Sequence, residues 1–205
     1  MPGRREHILI TCEHASNHVP KGYSIPKGIL NTHNAYDKNA LYAAERLAQL
    51  TSGRLLVGSM TRLIADLNRD RPTSSYVCID AKIADYHRLW RKRVIRDKRR
   101  IHISMHSFTP VLKGVVRKAD IGLLYDPSRE NERLLCMRFK KALQGHKVRM
   151  NYPYKGVSQG LTTTRRNKRK DYAGIEIELN QKLSRRNIND IIRKLSEALS
   201  ASDQE

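Results

Sequence analysis

Residues 7–14 read HILITCEH. Ile8, Leu9 and Ile10 are consecutive aliphatic residues, so the run is apolar on both faces, as a strand in the middle of a parallel sheet must be. It breaks into the polar loop EHASNHVP, which Pro20 closes. In open α/β sheets, functional groups gather beyond the carboxyl ends of strands. A buried strand that runs straight into Glu13 and His14 therefore marks both a sheet and a candidate site.

The pattern repeats outward from this strand. Residues 21–34 carry Gly, Pro and Asn and read as a surface loop. From Asp37, residues Ala40, Leu41, Ala44, Leu47, Ala48 and Leu50 recur at helical spacing, with Gly53 as a stop. RLLVG at 54–58 is a second strand. Residues 80–100 form a helix with Ile83, His87, Trp90 and Val94 on one face. IHISM at 101–105 is a third strand that runs into His106. Strands follow at 119–125, 147–151 and 175–179, with helices at 128–144 and 187–199 and a basic loop at 156–172. The alternation predicts one α/β domain over 1–205, a three-layer α/β/α sandwich around a mixed, mostly parallel sheet.

The chain has 205 residues, enough for a sizeable single core. Forty Lys and Arg against twenty Asp and Glu give a formal charge of +20, which favours anionic partners: nucleic acid, acidic polymers or small anions. Cys12, Cys78 and Cys136 are odd in number and form no CxxC pair. A disulfide framework is not expected, and a reducing, cytoplasmic compartment is. Neither a secretory h-region nor an apolar stretch of membrane-span length is present.

His14 and His106 each lie at a strand end before small or polar residues, as metal-binding imidazoles do. His18, His33 and His87 are of the same type but less well placed. The third ligand should be a carboxylate. Glu13 is a neighbour of His14 and points the other way on extended backbone. Asp37 reads either as a ligand or as a helix N-cap, and Asp66 as an ion-pair partner of Arg62 or Arg69. Glu176 and Glu178 share one face of IEIEL. That face is either solvated or the site of a general base. Arg62, Asn68 and Arg69 suit an anionic substrate or a structural pair with Asp66.

Seven segments, in order, resemble the N-formylglutamate amidohydrolase family: CEHASNHVP (12–20), HNAYDKNALYAAERLAQL (33–50), TRLIADLNRD (61–70), MHSFTPV (105–111), DIGLLYD (120–126), NYPY (151–154) and IEIELNQKL (175–183). The family is similar in layout to zinc-dependent amidases and carboxypeptidases (a phosphorylase/hydrolase-like fold). The resemblance implies one Zn2+ per chain on His14, Asp37 and His106, with Glu178 as the base. Arg62, Asn68 and Arg69 would hold a small anionic N-acyl amino acid. The implied reaction is hydrolysis of an N-formyl or N-acyl amide, as in N-formylglutamate. The Gly-rich stretch before the last strand departs from the family pattern. Arg166 stands where a His is usual, and is expected to contact substrate or an oxyanion. The alternatives are an amidase or peptidase of another substrate on the same site, or a basic nucleic-acid-binding protein with a degenerate site. The second rests on eight Lys or Arg in 88–100 and five in RRNKRK at 165–170.

Overall fold

A computed structural model describes residues 7–200, so both ends of the single domain expected over 1–205, and the residues before His7 where the sequence reading expects no leader, lie outside them. The elements are β1 Ile8–Cys12, α1 Lys27–Leu30, α2 Ala40–Thr51, β2 Arg54–Val57, α3 Ala81–Arg96, β3 Ile101–Phe108, β4 Val111–Leu112, β5 Val115–Val116, β6 Ile121–Leu124, α4 Glu130–Ala142, β7 Val148–Met150, α5 Leu161–Arg166, β8 Ala173–Asn180 and α6 Arg185–Ser200. Six strands form one sheet in the order β2-β1-β3-β8-β6-β7, and β4 and β5 make a separate hairpin. All pairings in the large sheet are parallel except β6 with β8. The sheet is mixed and mostly parallel, with helices on both faces, as the sequence predicts.

The two faces differ in chemistry because alternate residues point opposite ways. One carries Ile8, Ile10 and Cys12 of β1, Ile103 and Met105 of β3, and Ile175, Ile177 and Leu179 of β8. These pack against α2, α4 and α6 in the main core. Helix α6 serves this face with Ile188, Ile191, Ile192, Leu195 and Leu199 on one stripe. The opposite face carries Thr11, His102, Ser104, His106 and Glu178, every one of them buried. A smaller apolar cluster of Leu9, Leu67, Trp90, Val94 and Leu161 covers part of it through α3 and α5. Asp80 caps α3 by accepting from the Ile83 N–H at 2.9 Å.

Several elements depart from the sequence expectation, and the departures bear on the site. Strand β3 continues to Phe108, so His106 lies inside the strand, in register with Glu178 of β8. Helix α2 starts at Ala40, with Asn39 in the left-handed region at φ 69° as its cap residue, so Asp37 is not the N-cap. The stretch 156–172 contains α5, and 21–34 contains the single turn α1. The hairpin at 111–116 was not expected.

Glycine matters where the site is roofed. A Cβ at Gly122 would stand 1.7 Å from the Tyr152 carbonyl oxygen and 3.3 Å from the Glu178 Cβ. Only a bare backbone at this position of β6 lets the 151–154 segment cross beside Glu178. Among the described residues no helix is long and apolar enough to cross a membrane.

Candidate active site

His14, Asp37 and His106 converge. Each offers one ligand atom, the three atoms lie within 4.8 Å of one another, and all three residues are buried. Asp37 reaches the site from the turn before α2, where its N–H donates to the His14 carbonyl at 2.9 Å and its own carbonyl accepts from Ala40 at 3.1 Å. Its Oδ2 lies 2.8 Å from His106 Nδ1 and 3.3 Å from His14 Nδ1. The two imidazole centroids are 4.9 Å apart, with the rings tilted by 60°.

The other nitrogen of each ring is held from behind. His14 Nε2 lies 2.7 Å from Asp66 Oδ1. His106 Nε2 lies 2.9 Å from Ser104 Oγ and 3.3 Å from Glu13 Oε2. Ser104 has one hydroxyl proton and donates it to Glu13 at 2.7 Å. It must therefore accept from His106 Nε2–H. The same argument runs along the chain of bonds. Thr11 donates to Glu13 Oε1 at 2.6 Å, so it accepts from His102 Nε2–H at 2.8 Å, and His102 Nδ1 accepts from the Tyr172 hydroxyl at 2.6 Å. Burial first, then the Arg165 charge, pushes His102 down to about 3, in keeping with a neutral ring. Both site imidazoles thus carry Nε2–H against a carboxylate or its hydroxyl relay and turn Nδ1 toward Asp37. Metal-binding histidines show this second contact as a rule. The donor set and its backing fit a divalent cation.

The electrostatics follow. Burial disfavours charge on His106, but hydrogen bonds to Asp37 and Glu13 overcome it and raise the ring well above its ordinary value. Burial opposes ionisation of Asp37 and Asp66, and His14 in first place reverses the balance, holding both far below the usual carboxylate range. Glu13 falls to about 2 against the cost of its burial, chiefly through His106. Three ionised carboxylates around two imidazoles make an anionic socket in a strongly cationic chain.

Glu178 behaves oppositely. Burial in first place, with Asp37 and Glu176 behind it and the two histidines opposing, pushes its carboxyl up to about 8. Its Oε2 is buried without a hydrogen-bond partner. Glu176, two residues earlier on the same face, accepts from Thr162 at 2.8 Å. So the strand presents one tied and one free carboxylate. A cavity of about 300 Å³ joins Glu178 to His14, Asp37 and His106, and Arg62, Asn68 and Arg69 also line it. Arg62 bonds Asp37 Oδ1 at 3.4 Å and Asp66 Oδ2 at 3.2 Å. Arg69 lies 3.7 Å from Asp66 and its side chain is 56% exposed. The Asn68 carboxamide oxygen accepts from the Leu161 N–H at 2.8 Å, at the start of α5.

Arg166 is elsewhere. It does not line this cavity. Its Nε bonds both oxygens of fully buried Glu132 at 2.8 and 3.0 Å, and its Nη atoms donate to the carbonyls of Gly156 at 2.5 Å and Gly174 at 2.7 Å. No donor face is left for substrate, so the contact expected from the sequence gives way to a structural one. Arg166→Ala strands the buried Glu132 charge and is expected to destabilise the fold by about 3–5 kcal/mol. In denaturant melts the loss shows as a lower midpoint. A raised KM with unchanged stability would restore the substrate role.

The other expectations divide as follows. His87 Nε2–H donates to the Arg69 carbonyl, 3.0 Å away, and His33 lines a neighbouring cavity. His18 joins neither group. Of the basic run 165–170, Arg165, Arg166 and Arg169 all donate to backbone carbonyls, so much of that cluster is internal scaffolding. Sequence reasoning missed the backing role of Glu13 and the relay through Thr11, Ser104 and His102. The alternation in IHISMH at 101–106 held the signal: every second residue is polar.

A mixed sheet carrying a buried His–Asp–His cluster beside an unpaired glutamate is the equipment of a hydrolase. The sequence profile of the N-formylglutamate amidohydrolase family matches residues 79–184, just over half of the chain, and the chain belongs to that family. The matched stretch includes His106 and Glu178; the fold adds His14 and Asp37. Among solved structures, a gene product of Agrobacterium tumefaciens superposes with a TM-score of 0.77 at 24% identity, covering 98% of this chain and 92% of that one. An N-formylglutamate amidohydrolase from Ralstonia eutropha gives 0.68 at 16%, covering 98% and 94%. An N-acetylmuramoyl-L-alanine amidase from Clostridium difficile gives 0.54 at 12%, covering 98% and 100%. These likenesses are of fold. No curated protein matches the chain significantly.

Proposed function

We propose that the chain is a zinc-dependent hydrolase of N-formyl or N-acyl amino acids, with one cation held by His14, Asp37 and His106. The observation that carries this reading is the buried, unpartnered Glu178 Oε2 in the same cavity as three convergent ligand atoms. A cation on those ligands supplies Lewis acidity, which acidifies water and polarises the amide carbonyl. The chain's own residues do the rest. Glu178 Oε2, in its ionised form, takes a proton from the attacking water and delivers it to the departing amine nitrogen, and the charges of His106 and His14 favour that ionised form against the burial that opposes it. Asp66 and the Ser104–Glu13 pair hold the Nε2–H of each ring, so only the Nδ1 proton now directed at Asp37 has to leave when a cation binds. Arg62, tied to both Asp37 and Asp66, steadies the ligand carboxylate and the carboxylate that backs His14 at the cavity edge. Arg69, with Asn68 lining the same cavity, binds a substrate carboxylate.

Metal analysis together with formate or amine release from N-formyl-L-glutamate and a panel of N-acyl amino acids tests the reading. One zinc per chain and chelator-sensitive release are expected. A metal-free protein, or release that ignores chelator, would overturn it. Arg69→Ala is expected to raise KM for acidic substrates about tenfold, the scale of a charge-assisted hydrogen bond at an exposed site. Unchanged KM would return Arg69 to its pair with Asp66.

A further inference from the structure

Next to the ligand cavity lies a second of about 500 Å³, and the two share Asp37, Arg62, Ser107 and Tyr154. Arg117 lines it. This residue is 8% exposed, and no carboxylate pairs with it among the described residues. Among the described residues its only side-chain hydrogen bond is a long one, 3.5 Å to Thr109 Oγ1. The guanidinium lies instead against two aromatic rings, 5.7 Å from the centroids of both Phe108 and Tyr154. Rings hold a guanidinium in place without neutralising it.

The backbone around Arg117 is fixed. Its N–H donates to the Pro110 carbonyl at 2.7 Å, and its carbonyl accepts from Asn180 Nδ2 at 3.1 Å at the end of β8. Asn180 makes a second bond to the Ala119 carbonyl at 2.8 Å, so one side chain pins the segment on both sides of Lys118. Buried charges in folded proteins are paired as a rule. A rigidly placed guanidinium that is nine-tenths buried, unpaired, and beside a reaction site is arranged to receive an anion. The planar fork matches a carboxylate in particular.

We infer that Arg117 is a carboxylate-binding residue of the cleft, and that the lobe around it takes an acidic group of the substrate. Arg62 is unlike Arg117 in this, because its charge is already paired with Asp37 and Asp66. Arg69 lies in the other lobe and is far more exposed. Each of the two adjoining cavities therefore holds a guanidinium beside the ligand cluster, which suits a substrate bearing two carboxylates. This rests on the amide-hydrolase reading for the identity of the cleft, but not on turnover.

The test uses glutarate and its uncharged diamide glutaramide, neither of which offers an amide for productive cleavage next to a carboxylate. Binding is measured by calorimetry on the full chain, as purified and after chelation. Glutarate is expected to bind more tightly than glutaramide. Arg117→Met, which keeps the stem between the rings, is expected to weaken glutarate at least about tenfold and leave glutaramide unchanged. Wild-type affinity for glutarate in that variant, or equal weakening of both probes, overturns the inference. Should Arg117→Met not fold, Arg117→Lys replaces it: a loss confined to glutarate supports the inference, and an equal loss for both refutes it. Intact Arg117-dependent binding without hydrolysis on any substrate would refute the proposed function alone. Hydrolysis with no Arg117 dependence in binding would refute this inference alone.

Discussion

Glu178→Gln is expected to lower kcat by about 10²–10⁴, the range that removal of a general acid–base group covers, while zinc content stays at one per chain. The variant is informative because of how Glu178 is held. Its Oε2 makes no hydrogen bond, so an amide of the same shape breaks no contact. The carboxyl also sits beside Asp37 and Glu176 and is raised from its ordinary value to about 8, chiefly by burial. The native state therefore holds that proton more tightly than the unfolded chain does. Between the two pKa values stability falls as pH rises, because folding is then working against ionisation. Glutamine removes this cost, so the Tm of the variant at neutral pH is expected to equal or exceed that of the parent. Lost turnover with retained metal and retained Tm separates a base from a structural residue. Full activity in Glu178→Gln would sink the role, and a collapsed Tm would assign Glu178 to the scaffold. Glu176→Gln provides the contrast. It breaks the 2.8 Å bond from Thr162 and touches α5, so its effect should register in stability before rate.

Much of this arrangement is written locally. The core face of β3 and β8 is legible as Ile–x–Ile–x–Met and Ile–x–Ile–x–Leu, and both strands occur where that alternation predicts them. The same alternation places His102, Ser104 and His106 together, and Glu176 with Glu178. It does not say whether the polar face is wet. Burial of that face depends on Trp90, Val94 and Leu161, which arrive from α3 and α5 by tertiary packing. Asp37 shows the same limit. An acid three residues before Ala40 reads as a helix cap until Asn39 is seen to occupy the cap position in the left-handed region. Arg166 and Arg117 mark the opposite extremes of a hidden role. Both lie among forty basic residues, where charge alone singles out neither. The partner of Arg166 is Glu132, thirty-four positions earlier, and nothing local announces that pair. Arg117 follows an exposed hairpin, and only the fold brings Phe108 and Tyr154 to its two sides.

His106→Ala is expected to abolish stoichiometric zinc, with affinity reduced by more than the factor of about 10–100 that loss of a backing residue costs. His106 is the hub of the cluster. Its Nδ1 is 2.8 Å from Asp37, and its Nε2 meets Ser104 and Glu13. Removing the ring leaves Asp37 and Glu13 as buried carboxylates with one fewer partner each, so a fall in Tm accompanies the loss of metal. A fall in Tm alone would follow just as well if the cluster were only a buried polar core, so the decisive readout is graded. Glu13→Gln keeps both ligand nitrogens and changes only what stands behind His106. A metal site predicts that it retains zinc with affinity weakened by about 10–100-fold, lying between the parent and His106→Ala. His14→Ala should match His106→Ala, because its Nδ1 occupies the equivalent place on the other side of Asp37. A purely structural cluster predicts no order at all in zinc affinity across these three variants. Zinc retained at one per chain in both alanine variants would remove the site, and the assignment of Glu178 as its base would fall with it.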